Sequence, residues 1–160
     1  MEKHTISVLV ENKFGVLARV AGLFSARGFN IDSLAVGETE DPTISRMTIV
    51  LCGDDRILEQ VKKQLNKLID VIRIEDFTRK ECIALEIILL KISVKQKDRK
   101  DVLKLIDSMG AKVIDVGPET ITIQEVGDEA RIHGLLELVK PYGIAEMIRS
   151  GKIAIGKEGD

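Results

Sequence analysis

Ile6-Ser-Val-Leu-Val-Glu-Asn-Lys-Phe-Gly-Val-Leu-Ala-Arg-Val-Ala-Gly-Leu-Phe-Ser-Ala-Arg-Gly-Phe-Asn-Ile-Asp-Ser-Leu34 is the stretch on which the fold turns. Ile6, Val8 and Val10 alternate with Leu9, the period of a strand over residues 5–10. The polar turn Glu11-Asn12-Lys13-Phe14-Gly15 follows. Val16, Leu17, Val20, Ala21, Leu23 and Phe24 then recur at helical spacing and form one apolar stripe. Gly28 stops the helix, and a second strand is expected over residues 30–37.

Working outward, a third strand spans 45–52, with Pro42 in the turn before it. Asp54 or Asp55 caps a helix whose stripe is Ile57, Leu58, Val61, Leu65, Leu68 and Ile69. Residues 71–77 alternate apolar and charged side chains, as a half-exposed strand does. The order is βαββαβ, the ferredoxin-like plan. A charged seam at Thr78-Arg-Lys-Glu81 separates this from a second half. There, an apolar strand over 85–94 precedes a helix carrying Val102, Leu105, Ile106 and Met109, stopped by Gly110. Strands over 113–116 and 120–126, a helix over 128–139 ended by Pro141, and a strand near 144–148 complete the same order. The expectation is an α+β chain of two ferredoxin-like βαββαβ domains in tandem, residues 1–78 and 79–160. The cluster Lys95-Gln-Lys-Asp-Arg-Lys100 reads either as a docking patch or as a solvated helix start.

Composition excludes several functions. The 160 residues are 44% hydrophobic, enough for a core, and 31% charged. Net charge is −2, and neither half has the basic surplus needed to counter a phosphate backbone. Aromatic residues make up 3% of the chain, with no Trp and Tyr142 as the only Tyr, too few rings for base stacking. No nucleic-acid partner is expected. No charged-then-apolar leader and no bilayer-length apolar run is visible, so no membrane partner is expected and the cytoplasm is the default compartment. Cys52 and Cys82 lack a C-x-x-C context and read as buried reduced thiols. His4 and His133 stand alone and read as ordinary surface or edge residues, so no metal is expected. The chain has no P-loop, no dinucleotide glycine fingerprint and no nucleophile–base pairing. Glu38, Glu40 and Asp41 lie together beside a turn and read as solvated.

The turn at 11–15 admits two readings. Asn and Gly are common wherever a strand enters a helix, for capping and backbone reasons alone. The same residues also suit a small zwitterion. Gly15 permits a positive φ and close approach of backbone. The helix start offers free N–H groups and its positive dipole end to a carboxylate. The Asn12 amide carries both a donor and an acceptor.

The same segment resembles the start of an ACT domain. More closely, it is similar to the small regulatory subunit of acetohydroxyacid synthase (acetolactate synthase). The likeness continues through Glu40-Asp-Pro-Thr-Ile-Ser-Arg-Met-Thr-Ile49 and Leu58-Glu-Gln-Val-Lys-Lys-Gln-Leu-Asn-Lys-Leu-Ile-Asp-Val71. It resumes at Pro141-Tyr-Gly-Ile144 and Arg149-Ser-Gly-Lys-Ile-Ala154. The resemblance implies that the first domain is an ACT domain binding an amino-acid effector at a dimer interface. It implies effector contacts at Asn12, Gly15, Val16 and Leu17, with Asn30 and Ile31 contributed by a neighbouring protomer and Val10 and Val36 as an apolar wall. Such a wall suits valine first, then leucine or isoleucine, because it lacks the acceptors a hydroxylated side chain needs. The resemblance further implies a non-catalytic chain that forms a homodimer, partners a large catalytic subunit, stimulates it and makes it sensitive to feedback. Thiamine diphosphate, FAD and magnesium would sit on that large subunit, and no cofactor on this chain. The family's second domain opens with an Arg-Glu pair before an apolar strand. In Glu81-Cys-Ile-Ala-Leu-Glu-Ile87 only Glu86 keeps that role. Two rival readings are a freestanding amino-acid-binding module serving another enzyme or a transcription regulator, and a small enzyme on a ferredoxin-like sheet.

Overall fold

Antiparallel pairing of β1 (Glu2–Glu11) with β3 (Ile44–Gly53) organises the first half, with Glu2 opposite Gly53 and Glu11 opposite Ile44. The structure, a computed structural model, describes residues 2–157. β2 (Ile31–Glu38) and β4 (Val71–Asp76) complete a sheet of order β2-β3-β1-β4. Ile6, Val8 and Val10 share a face with Met47, Ile49 and Leu51. On that face pack Val16, Val20 and Phe24 of α1 (Val16–Ser25) and Leu58, Val61 and Leu65 of α2 (Asp55–Leu65). Asp54, not Asp55, caps α2, its carboxylate accepting the Ile57 N–H at 2.9 Å.

The second half repeats the order. β5 (Cys82–Ser93), α3 (Arg99–Met109), β6 (Lys112–Val116), β7 (Thr120–Gly127), α4 (Glu129–Val139) and β8 (Ile144–Arg149) build a sheet of order β6-β7-β5-β8. Ile88, Leu90 and Ile92 meet Ile121 and Ile123 under Val102, Ile106, Ile132, Leu135 and Val139. Gly110, at φ 73°, ends α3, and Asp128 caps α4 through the Arg131 N–H. Glu86 is buried and is held by the Nε of Arg149 on β8 at 3.0 Å, with a second bond from Nη2. Glu125, also buried, takes the Arg131 guanidinium in the same way. A charge removed from water in this manner needs such a partner.

One strand has no counterpart in the sequence reading. β9 (Ile153–Gly156) pairs with β5, and the Lys157 N–H donates to the Glu81 carbonyl. It belongs with the first half: the described chain divides into residues 2–84 with 152–157, and residues 85–151. The seam expected at 78/79 lies in the connection before β5, and the division falls between Ala84 and Leu85. The Lys152 N–H donates to the Ser33 hydroxyl at 3.0 Å, and Ala154 is buried. Ser33 lies opposite Val50, so it is on the face of the first sheet away from the helices. Ser7, Thr48 and Val50 are buried on that face. Four residues carry too little periodicity to say which sheet they join.

Two expectations change. His4 is fully buried, with Nε2 3.0 Å from the Gly53 carbonyl and Nδ1 3.2 Å from the Thr78 hydroxyl. A carbonyl only accepts, so Nε2 carries the proton that donates to it. The reason is that β1 begins at residue 2, which gives His4 the parity of Ile6 in a central strand. His133 is exposed. Cys52 and Cys82 are free thiols but only half-buried.

Thr78 also donates its N–H to Asp76, whose other oxygen accepts from Lys62 at 2.9 Å. Burial pushes the Asp76 carboxyl up, but the bonds from Lys62 and Thr78 outweigh it and hold the group below the usual carboxylate range. A depressed folded-state value means stability that is present above the unfolded value of about 3.9 and lost as pH falls through the folded value. Asp76→Asn is therefore expected to lower the urea midpoint at pH 7. It should also flatten the midpoint's decline on acidification below about pH 4, which urea titrations across that range measure.

Candidate effector site

The strand-to-helix turn is held from three directions. The Glu11 N–H donates to the Asp70 carbonyl at 2.9 Å, and the Asn12 N–H donates to the Thr43 carbonyl at 2.7 Å. The Arg19 guanidinium donates from Nε to the buried Asp70 carboxylate at 2.9 Å, and Nη2 lies 2.8 Å from the same oxygen. Gly15 is at φ 81°, in the left-handed region, and precedes α1 with no side-chain cap. A Cβ there would lie 2.9 Å from Arg19 Nη1. That atom is the far end of a flexible side chain, so the positive φ rather than lack of space is what favours glycine here. The Leu17 and Ala18 amides have no acceptor among the described residues, as expected in the first turn of a helix.

Asn12 is exposed, and its amide nitrogen donates to Glu38 at 3.1 Å and to the Pro42 carbonyl at 2.9 Å. Its amide oxygen has no partner among the described residues. The side chain thus presents an acceptor, while its donors are engaged. Asp41 organises the neighbouring turn, accepting from the Thr43 N–H and hydroxyl, and those bonds hold its carboxyl below its ordinary value.

The eight residues assigned from sequence do not converge within one chain. Val10 and Val16 belong to the core, 1% and 4% exposed. Leu17 and Val36 are each 46% exposed. Asn30 is exposed and Ile31 half-buried, but they lie at the far end of β2, where Ile31 sits opposite Leu51 and Glu38 opposite Ser45. Seven residue steps along β2 put those ends roughly 20 Å apart. Asn12, Gly15, Leu17 and the exposed end of β2 therefore form one group, and Asn30 with Ile31 another. Open clefts of about 460 Å³ and 480 Å³ lie elsewhere on the first half and share no residue with either group. Among the described residues, no three His, Cys, Asp or Glu side chains cluster as metal ligands, and no helix is long and apolar enough to cross a membrane.

Two family models match the chain in succession. An AHAS small subunit-like ACT domain covers residues 6–73, and a domain described as the small subunit of acetolactate synthase covers residues 85–158. This chain belongs to the acetolactate synthase small-subunit family. The acetolactate synthase small subunit of Aquifex aeolicus is 45% identical over 159 residues, spanning 99% of this chain and 83% of the relative. That of Mycobacterium bovis is 47% identical over 154 residues, spanning 96% and 92%. The crystal structure of the small subunit from Thermotoga maritima superposes with a TM-score of 0.89 at 33% identity, covering all of both chains. As an acetolactate synthase small subunit, the chain is a regulatory, non-catalytic component with a catalytic-subunit partner. The rival readings, a module serving some other enzyme and an independent small enzyme, give way to this assignment.

Sequence reasoning missed Glu38, Arg19 and Asp70 in this small subunit. Glu38 looked solvated, yet it engages Asn12 from the end of β2. Arg19 follows Gly15 at the i, i+4 spacing that puts both on one helix face, a usable signal. Nothing in the sequence pairs Arg19 with Asp70. Because Gly15 has a positive φ, Gly15→Ala is expected to cost about 1–2 kcal/mol of stability. Urea denaturation measures this, and Gly22→Ala, in open space within α1, serves as the comparison.

Proposed function

We propose that this small subunit binds a branched-chain amino acid, valine first, at the turn after β1, and that the bound effector restrains a catalytic subunit which the small subunit otherwise stimulates. The observation that carries the reading is the Gly15 turn, where backbone at φ 81° and unpaired amides at the start of α1 lie together beside the exposed Asn12 oxygen. Amides at a helix start take a carboxylate, and an amide oxygen takes an ammonium group. Leu17 and Val36 supply exposed apolar surface for an aliphatic side chain. A methylene is worth only about 1–3 kcal/mol, so leucine and isoleucine are weaker competitors rather than excluded ones.

The separation of Asn30 and Ile31 from the turn supports a site shared between two protomers. β2 is an edge of its sheet, and edge strands invite pairing. Two copies joined antiparallel through β2 would bring Asn30 and Ile31 of one toward the Asn12–Gly15 turn of the other. In this reading residues 1–78 bind the effector and residues 79–160 take part in coupling to the catalytic subunit, in the cytoplasm. Thiamine diphosphate, FAD and magnesium belong to that partner.

The reading is tested by assaying the reconstituted holoenzyme with and without valine, beside calorimetry on the intact small subunit. Asn12→Ala removes the polar partner and is expected to weaken valine binding by about 1–3 kcal/mol, roughly 5- to 150-fold, while leaving stimulation in place. Unchanged affinity removes this turn from consideration. A ligand that touches both protomers favours the paired state by mass action. Sedimentation is therefore expected to show a dimer whose dissociation valine suppresses, and a monomer at micromolar concentration with valine present contradicts the shared site.

A further inference from the structure

The edge strand β2 carries a register shift between Ile31 and Ser33: Ile31 lies opposite Leu51 and Ser33 opposite Val50. Asp32 is the extra residue, and its carboxylate accepts the Asn30 side-chain amide at 2.6 Å. The bulge therefore has a clasp, and that clasp uses a residue assigned to the effector. Bulges re-aim side chains and occur at sheet edges and beside functional sites. Immediately after this one, Ser33 lies on the face of the sheet away from the helices. There its hydroxyl accepts the Lys152 N–H at 3.0 Å, where the returning C-terminal segment begins. That segment is short and is held at further points: β9 pairs with β5, Ala154 is buried, Gly156 lies against the Phe77 ring, and Lys157 is tied to Glu81 through its N–H and its ammonium group. Just upstream along the chain, Ser150 and Arg149 are tied to β5. The Ile87 N–H donates to the Ser150 hydroxyl, the Ser150 N–H donates to the Ile87 carbonyl, and Arg149 holds Glu86.

We infer that the Asp32 bulge and the Ser33–Lys152 hydrogen bond form a latch through which the effector acts on the C-terminal segment, with Ser33 as a positioning residue. The inference rests on the effector reading above. An effector whose carboxylate takes the Asn30 N–H now given to Asp32 displaces the Asp32 carboxylate. Releasing Asp32 alters the bulge, and the bulge sets where the Ser33 hydroxyl points. The latch then opens or tightens at residue 152, and the covalent chain carries the change to the firmly tied residues 149–150. Coupling of this kind requires an element with two arrangements that the ligand distinguishes. A bulged edge strand clasped by a side chain that the ligand displaces is such an element. Ser33 itself touches no effector; it acts through Lys152.

The test uses the intact small subunit with its catalytic subunit and compares the native chain with Ser33→Ala and Ser33→Thr. Valine affinity by calorimetry and stimulation without valine are expected to stay within about twofold for Ser33→Ala, while the activity remaining at saturating valine rises at least about fivefold, the lower end of common coupling factors. Ser33→Thr keeps a hydroxyl acceptor and is expected to restore inhibition. Hydrogen exchange supplies a readout independent of activity: valine is expected to change the exchange of residues 152–157 in the native chain and not in Ser33→Ala. Inhibition of Ser33→Ala to the native extent at saturating valine, a parallel loss of valine affinity, or exchange of residues 152–157 indifferent to valine in the native chain each overturns the latch while leaving the effector reading intact. Failure of the native chain to bind valine overturns the effector reading, and the latch with it.

Discussion

The central place of β1 in its sheet is the constraint on which the rest of the first half depends. Hydrogen-bonded to β3 on one side and β4 on the other, β1 has no edge, and its side chains must go alternately to two covered faces. Ile6, Val8 and Val10 fill the helix face. Ser7 is buried on the other, where Arg46 reaches its hydroxyl. Burial of Val10 to the end of the strand forces the chain to turn at once and send α1 back over the same face. The turn after β1 is tight for that reason, and a tight return at Gly15 needs a positive φ. A backbone-lined surface at the start of α1 is thus a by-product of how the core closes.

Charge completes that closure. Arg19 and Asp70 tie the helix to the connection before β4, so the turn is braced by the element that ends the unit. The second half uses the same solution at different places, with Arg131 on Glu125 and Arg149 on Glu86. In each case the carboxylate is buried while the guanidinium stays partly in water, an arrangement that limits the desolvation cost to one partner. The family pattern that Glu86 keeps has a structural meaning here: its partner comes from β8, far along the sequence.

These pairings also explain why the surface proposed for the effector is divided. The turn at 11–15 and the start of β2 sit at opposite ends of one strand, so within a single chain they do not close into one pocket. The register of β2 against β3 determines that separation. The C-terminal segment meets β2 between those ends, at Ser33. The strand at that edge is thus both bulged and bonded to Lys152.

The element order, the apolar stripes of α1 and α2 and the duplicated βαββαβ plan were legible in the sequence, because periods of 2 and 3.6 are local properties of consecutive residues. The Gly15 turn was legible for the same reason, as a polar break between two periodic runs. The caps at Asp54 and Asp128 follow from local chemistry as well, though choosing Asp54 over Asp55 needed the backbone. Tertiary structure alone decided that His4 is interior, since its burial depends on how far β1 extends beside β3. It also decided that Asn12 engages Glu38, that Arg19 holds Asp70, and that β9 returns to the first half. Each of these joins residues far apart in the chain. Periodicity says which face a side chain takes, while only the packed sheet and its register say what stands opposite.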